Sequence, residues 1–145
     1  ASGQFPQATP TPNPNAAGTD ITIELPAGDA ARGETLVSSA GCVACHVGPA
    51  AGMTAPAWLT AESQDGKGVA AHAEERWQGA DYAGAATSTD QFLFESIVNP
   101  NIYITPPGEG ATWQAGGPSI MLGTYGTSLL KQDMADIIAY LRGGL

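Results

Sequence analysis

The chain has 145 residues, with 14 acidic and 5 basic side chains and a formal charge of −9. Nucleic acids and anionic membranes both need a basic surface, so this balance argues against either as an electrostatic partner. Hydrophobic residues make up 43% of the chain, enough for one packed domain. No apolar run approaches the roughly 20 residues that cross a bilayer. No charged segment followed by an apolar one marks a signal peptide, and export is expected to have removed it.

Residues 1–19 carry no charge, and Pro6, Pro10, Pro12 and Pro14 fall among the first 14. Such a stretch favours extended polyproline backbone and has little to bury. Residues 1–25 therefore read as a linker, tether or disordered tail, and 26–145 as the folded domain. At the end of the tail, residues 20–25 alternate polar and apolar, as a short extended segment lying along the domain would.

A first helix is expected over 30–39, with Asp29 as its N-cap and Leu36 and Val37 on its apolar side. Gly33 inside it costs about 1 kcal/mol relative to alanine in an exposed helix, and a close helix contact would account for it. Residues 47–86 are rich in Gly, Ala and Pro, with a short helix expected at 69–78. So long an irregular stretch suits a compact domain when it wraps a large prosthetic group. The next helix spans 89–98, opening on the S-x-x-Q pattern of Ser88 and Gln91 and stopping before Pro100. Phe92, Phe94 and Ile97 are its anchors. A second irregular stretch, 99–127, leads to a last helix over 131–141. There Leu130, Met134, Ile137, Ile138 and Leu141 recur at spacings of four, three, one and three, an amphipathic stripe. Arg142 complements the negative end of its dipole before Gly143 and Gly144 end it. The apolar side chains are few for the amount of loop, so a non-protein group is expected to fill the core.

Both cysteines lie in one short motif, Cys42-Val43-Ala44-Cys45-His46. Two thiols three positions apart can add to the two vinyl groups on one edge of a haem, and His46 then lies where its imidazole can bond the iron. Two rival readings exist. A thioredoxin-type C-x-x-C needs an α/β context, and the chain shows no alternation of strands and helices. A zinc site needs about four ligands, and only Cys42, Cys45, His46 and the distant His72 are available as Cys or His.

Residues 28–36 (GDAARGETL) followed by 41–46 (GCVACH) resemble the opening of class I c-type cytochromes. Residues 119–126 (SIMLGTYG) resemble their methionine loop, and 132–141 (QDMADIIAYL) their C-terminal helix. The stretch 91–100 (QFLFESIVNP) looks like that of bacterial relatives attached to respiratory or photosynthetic membranes. The resemblance covers about 26–145. It implies an all-α cytochrome c fold, with three or more helices and long loops wrapping one covalent haem c. It implies one-electron transport rather than enzyme catalysis, in a periplasmic or other extracytoplasmic setting. The carrier would be either tethered to a membrane by its N-terminal tail or free. Alternatives are a haem subunit of a larger membrane complex, and a haem enzyme or sensor whose methionine leaves to admit a ligand. The acidic charge suits redox partners with a basic docking surface. With only Lys67 and Lys131, a lysine-ringed docking face is not available to this chain.

Four residues are candidates for the second axial ligand. Met134 sits in the apolar stripe of the last helix and reads as core. Met53 lies seven residues after His46, on what should be the histidine side. His72 falls in a polar, Gly- and Ala-rich stretch. Met121 occupies the position of the family's axial methionine, with Tyr125 and Gly126 following at the family's spacing, although Leu122 stands where the family usually has proline. The resemblance further implies that a proline carbonyl orients the haem histidine, with Pro56 preferred to Pro49. It also implies that Gly33 meets Tyr140 where the first and last helices cross. Arg76, whose planar fork suits carboxylates, is the first choice to hold a haem propionate, ahead of Tyr103, Trp77 and Trp113.

Overall fold

The computed structural model describes residues 13–106, 118–143 and 145. Its helices are α1 (Ala30–Ser39), α2 (Val43–His46), α3 (Val69–Trp77), α4 (Thr89–Val98), α5 (Tyr125–Ser128) and α6 (Lys131–Arg142), with a 3₁₀ turn at Gly48–Ala50. The described residues form no β-strand, only isolated bridges at Ala16–Leu130 and Ala51–Ala55. The fold is all-α. Of the expected elements, Trp113, residues 1–12 and Gly144 lie outside the described residues.

The helix starts follow local chemistry. Asp29 caps α1, its Oδ1 accepting the N–H groups of Ala31 (3.0 Å) and Arg32 (3.2 Å). Ser88 Oγ accepts the Gln91 N–H at 3.2 Å and starts α4. The reciprocal half of the expected capping box goes elsewhere: Gln91 Oε1 takes the N–H and O–H of Thr87, at 2.8 and 2.9 Å. A donor pair on one residue outcompetes the single N–H of Ser88. At α6, Asp133 reaches back to the Leu130 N–H at 2.9 Å. The one-turn helices α2 and α5 escape sequence patterning because four residues hold no period.

α4 is buried on nearly every face, including Phe92, Leu93, Phe94, Ile97 and Val98. It packs against α3, α5 and α6 and forms the centre of the domain. The most extensive helix contact is between α1 and α6. It depends on glycine: a Cβ on Gly33 would lie 2.0 Å from the Asp136 carbonyl oxygen and 2.9 Å from Tyr140 Cβ. A Cβ on Gly28 would lie 2.2 Å from the Ala135 carbonyl oxygen. Asp136 is fully buried in this crossing. Its carboxylate accepts the Asp29 N–H (2.8 Å), the Gln132 Nε2–H (2.8 Å) and an N–H of Arg32. Arg32 also pairs with Asp133 at 2.7 Å. Burial pushes the Asp136 carboxyl up, but these bonds together bring it below its ordinary value.

The packed unit begins before the expected boundary at residue 26. The Ala17 N–H donates to the Leu129 carbonyl (2.8 Å), the Gly18 N–H to that of Gly126 (2.7 Å), and the Lys131 N–H to that of Asn15 (2.8 Å). Ala17 and Ile21 are buried. These bonds run between main chains at the α5–α6 junction, so the uncharged, proline-rich composition gave no sign of them.

Two stability predictions follow from the crossing. Alanine is about 1 kcal/mol better than glycine in an open helix. Gly33→Ala is nevertheless expected to destabilise, because overpacking costs about 1–3 kcal/mol and the obstructing atom is backbone. A denaturant midpoint that rises in Gly33→Ala would show that the backbones are not this close. Asp136 has a lowered pKa, so its contribution is present above the ordinary carboxylate range and is lost as pH falls through the folded value. Asp136→Asn should lower stability at neutral pH and flatten the acid limb of the stability–pH curve. An unchanged acid limb would rule out this role.

Candidate functional site

The end of α1 delivers the cysteine motif. Gly41 turns the chain at φ +82°, a conformation that favours glycine. The Cys42 N–H is anchored on the Val37 carbonyl at 3.0 Å. One turn of helix then puts residues i, i+3 and i+4 on one face. Cys42, Cys45 and His46 accordingly line one wall of a cavity of about 290 Å³. Neither cysteine is in a disulfide, and both are partly exposed. Burial holds the Cys42 thiol above its ordinary value, so it is protonated at neutral pH.

His46 is held at its edge and on its face. Its Nδ1 lies 2.7 Å from the Pro56 carbonyl oxygen. That oxygen can only accept, so Nδ1 carries the proton and Nε2 keeps a lone pair. The ring stacks on Trp58, with centroids 4.6 Å apart and planes 13° from parallel. Burial lowers the pKa of His46, against the opposing effect of the Pro56 bond, and keeps the imidazole neutral. Pro49 lies in the 3₁₀ turn. The start of that turn is braced by Glu62, whose two carboxylate oxygens accept the Gly48 N–H at 2.9 and 3.0 Å.

Met121, partly buried, lines the same cavity from the loop before α5. That loop is tied by the Met121 N–H to Ser119 Oγ (3.2 Å) and by the Ser119 N–H to Asn101 Oδ1 (2.7 Å). Phe92, Leu93 and Ile97 of α4 and Leu141 of α6 supply apolar walls. Tyr125 O–H donates to the Ala40 carbonyl at 3.0 Å and joins α5 to the chain just before the cysteines. The other three candidate ligands lie elsewhere. Met134 is 0% exposed in the core, and Met53 is 49% exposed. His72 Nε2 is 2.8 Å from both carboxylate oxygens of Asp65 and faces a smaller cavity of about 180 Å³.

Arg76 lines both cavities. Burial lowers its pKa, yet a guanidinium stays charged. Its guanidinium has no hydrogen bond or ion pair among the described residues, and Asp65 and Glu75 act on it only at longer range. Tyr103 also lines the larger cavity, and its O–H donates to Asp81 at 3.3 Å. Trp77 is committed to Thr89 Oγ1 at 3.2 Å. The stack on Trp58 and the brace from Glu62 were not anticipated from sequence. The partners lie 12 and 14 residues from the groups they serve, and no local pattern encodes the pairing.

The donor set suits a covalent haem. Two free thiols share a face with a neutral imidazole whose Nε2 is available. A thioether lines the same apolar cavity, and the Arg76 guanidinium, without a hydrogen-bond partner among the described residues, sits in its wall. Among the described residues no three His, Cys, Asp or Glu side chains converge on a metal-holding cluster, as a zinc site would require.

Searches of curated proteins and of solved structures gave no match. A family model described as Cytochrome c matches residues 30–144, from the first residue of α1 to beyond the end of α6. The chain therefore belongs to the cytochrome c family, whose haem c is attached covalently.

Proposed function

We propose that this chain carries single electrons through one haem c, bonded through Cys42 and Cys45 and ligated by His46 and Met121. When bound, the haem supplies an iron that changes charge by one electron. The protein's part is to hold that iron without rearrangement. His46 presents a neutral nitrogen whose orientation is set by Pro56. Met121 presents a soft sulfur, which favours the reduced state relative to stronger donors. Arg76 offers a planar fork to the propionate carboxylates. The apolar walls exclude water.

The observation that carries this reading is the cavity itself. Of the four candidate second ligands, Met121 is the one lining the cavity onto which Cys42, Cys45 and His46 face. A ligand on both faces leaves no open position for oxygen or peroxide, which favours carriage over catalysis. One observation favours a second reading, a displaceable methionine. Leu122, standing where proline is usual in the family, is 62% exposed and leaves the loop less rigid.

In this reading the carrier works outside the cytoplasm, in a respiratory or photosynthetic chain, and is tethered by its N-terminal tail or held as a complex subunit. Among the described residues no helix is long and apolar enough to cross a membrane. Its partners present a basic face to a chain of charge −9.

Two measurements test the proposal. Met121→Ala should lose the weak near-infrared sulfur-to-iron band of the ferric protein, lower the midpoint potential and bind carbon monoxide when reduced. The parent protein should keep the band and refuse carbon monoxide. Survival of the band in the variant would assign the sulfur to another residue, and ready carbon monoxide binding by the parent would favour the displaceable methionine. Electron exchange with a basic partner should slow several-fold between low and physiological salt, because screening shortens the steering field. A rate independent of ionic strength would remove the charge-steered partner from this account.

A further inference from the structure

Trp58 belongs to the hydrophobic core and is 5% exposed. Core filling alone does not account for how it is held. Its main-chain N–H donates to the His46 carbonyl at 3.1 Å, and its own carbonyl accepts the Val69 N–H at 3.2 Å. The residue is thus pinned to the end of α2 on one side and to the start of α3 on the other. Its ring lies flat against the His46 ring, at 4.6 Å and 13°. Two positions earlier, Pro56 accepts the His46 Nδ1–H at 2.7 Å.

These two restraints differ in kind. A hydrogen bond to a carbonyl fixes the position of Nδ1 but tolerates a broad range of ring tilts about that contact. A flat ring against the face of the imidazole resists tilt but does not fix rotation in the plane. Together they leave the imidazole one orientation. We propose that Trp58 is a positioning residue for His46, its indole setting the plane in which the imidazole meets the iron. The inference rests on His46 being an axial ligand.

The test is proton NMR of the ferric holoprotein, with the midpoint potential measured alongside. The spread of the hyperfine-shifted haem methyl resonances follows the imidazole plane together with the orientation of the methionine sulfur, and the His46 ring-proton shifts report the imidazole itself. In the parent protein the His46 ring protons should carry large hyperfine shifts, and the methyl shifts should run straight against reciprocal temperature, as for a single ring orientation. Trp58→Phe keeps a flat ring and should retain the parent pattern and potential. Trp58→Leu fills the core without a ring and should change the methyl spread and curve its temperature dependence. A parent-like Trp58→Leu, or a Trp58→Phe altered as much as Trp58→Leu, would overturn the proposal. If the leucine variant does not mature, a Trp58→Phe whose His46 ring-proton shifts depart from the parent's would still overturn it. Absence of hyperfine shifts on His46 in the parent would sink the ligand reading itself. Their presence with an indifferent Trp58 would sink only this inference.

Discussion

Where α1 crosses α6, the backbones come within touching distance, and the geometry of the site follows from that crossing. Gly28 and Gly33 have no Cβ to hold Ala135 and Asp136 away. The helix-propensity cost of glycine is offset by a contact no other residue allows. Only two residues separate α1 from Cys42, and only two separate α5 from α6. The crossing therefore sets the histidine wall relative to the loop that carries Met121. Tyr125 ties the two again through the Ala40 carbonyl. Arg32, bridging Asp133 and Asp136, resists rotation of one helix on the other.

The other described residues pack around α4 and leave a cavity beside it. Between α2 and α3 lie 22 residues, and α4 is followed by a similar stretch before α5. Among the described residues the loops are tied by scattered bonds: Glu62 on Gly48 between α2 and α3, Glu95 on Ala85 and Tyr82 between α3 and α4, and Asn101 on Ser119 between α4 and α5. None of these buries much apolar surface. A group that binds the folded chain and not the unfolded one stabilises it by mass action, and a covalent group is always present at its site. Loops this long are compatible with a compact domain because the haem supplies the apolar surface they do not.

The legible parts of the sequence were those encoded locally. The starts of α1 and α4 were readable from Asp29 and Ser88, and α6 from its apolar stripe, because a helix reports its own period and caps. The cysteine motif announced a haem because the spacing is itself the chemistry. What could not be read were pairings between distant residues. Asp136 looks like one more acid in an acidic chain, yet it is the buried acceptor at the crossing. Residues 15–18 look like a linker, yet they bond to Gly126, Leu129 and Lys131 through main-chain groups that no side chain betrays. Trp58 looks like ordinary core until its ring is seen against His46.

The charge of the protein divides between distance and contact. Arg32, Lys67 and Arg142 are each committed to carboxylates, and His72 to Asp65. Glu62 and Glu95 are turned onto backbone N–H groups. Among the described residues lining the larger cavity there is no carboxylate, and Arg76 is the one side chain there with a permanent charge. An acidic group in that wall would favour the oxidised iron and repel the propionates. On the proposed reading, its exclusion would let the surface acids steer a basic partner over a Debye length while a cation set the field at contact range. On that reading a strongly acidic protein could hold two further carboxylates at its centre, because the charges that attract a partner and the charge that faces the cofactor are on different residues.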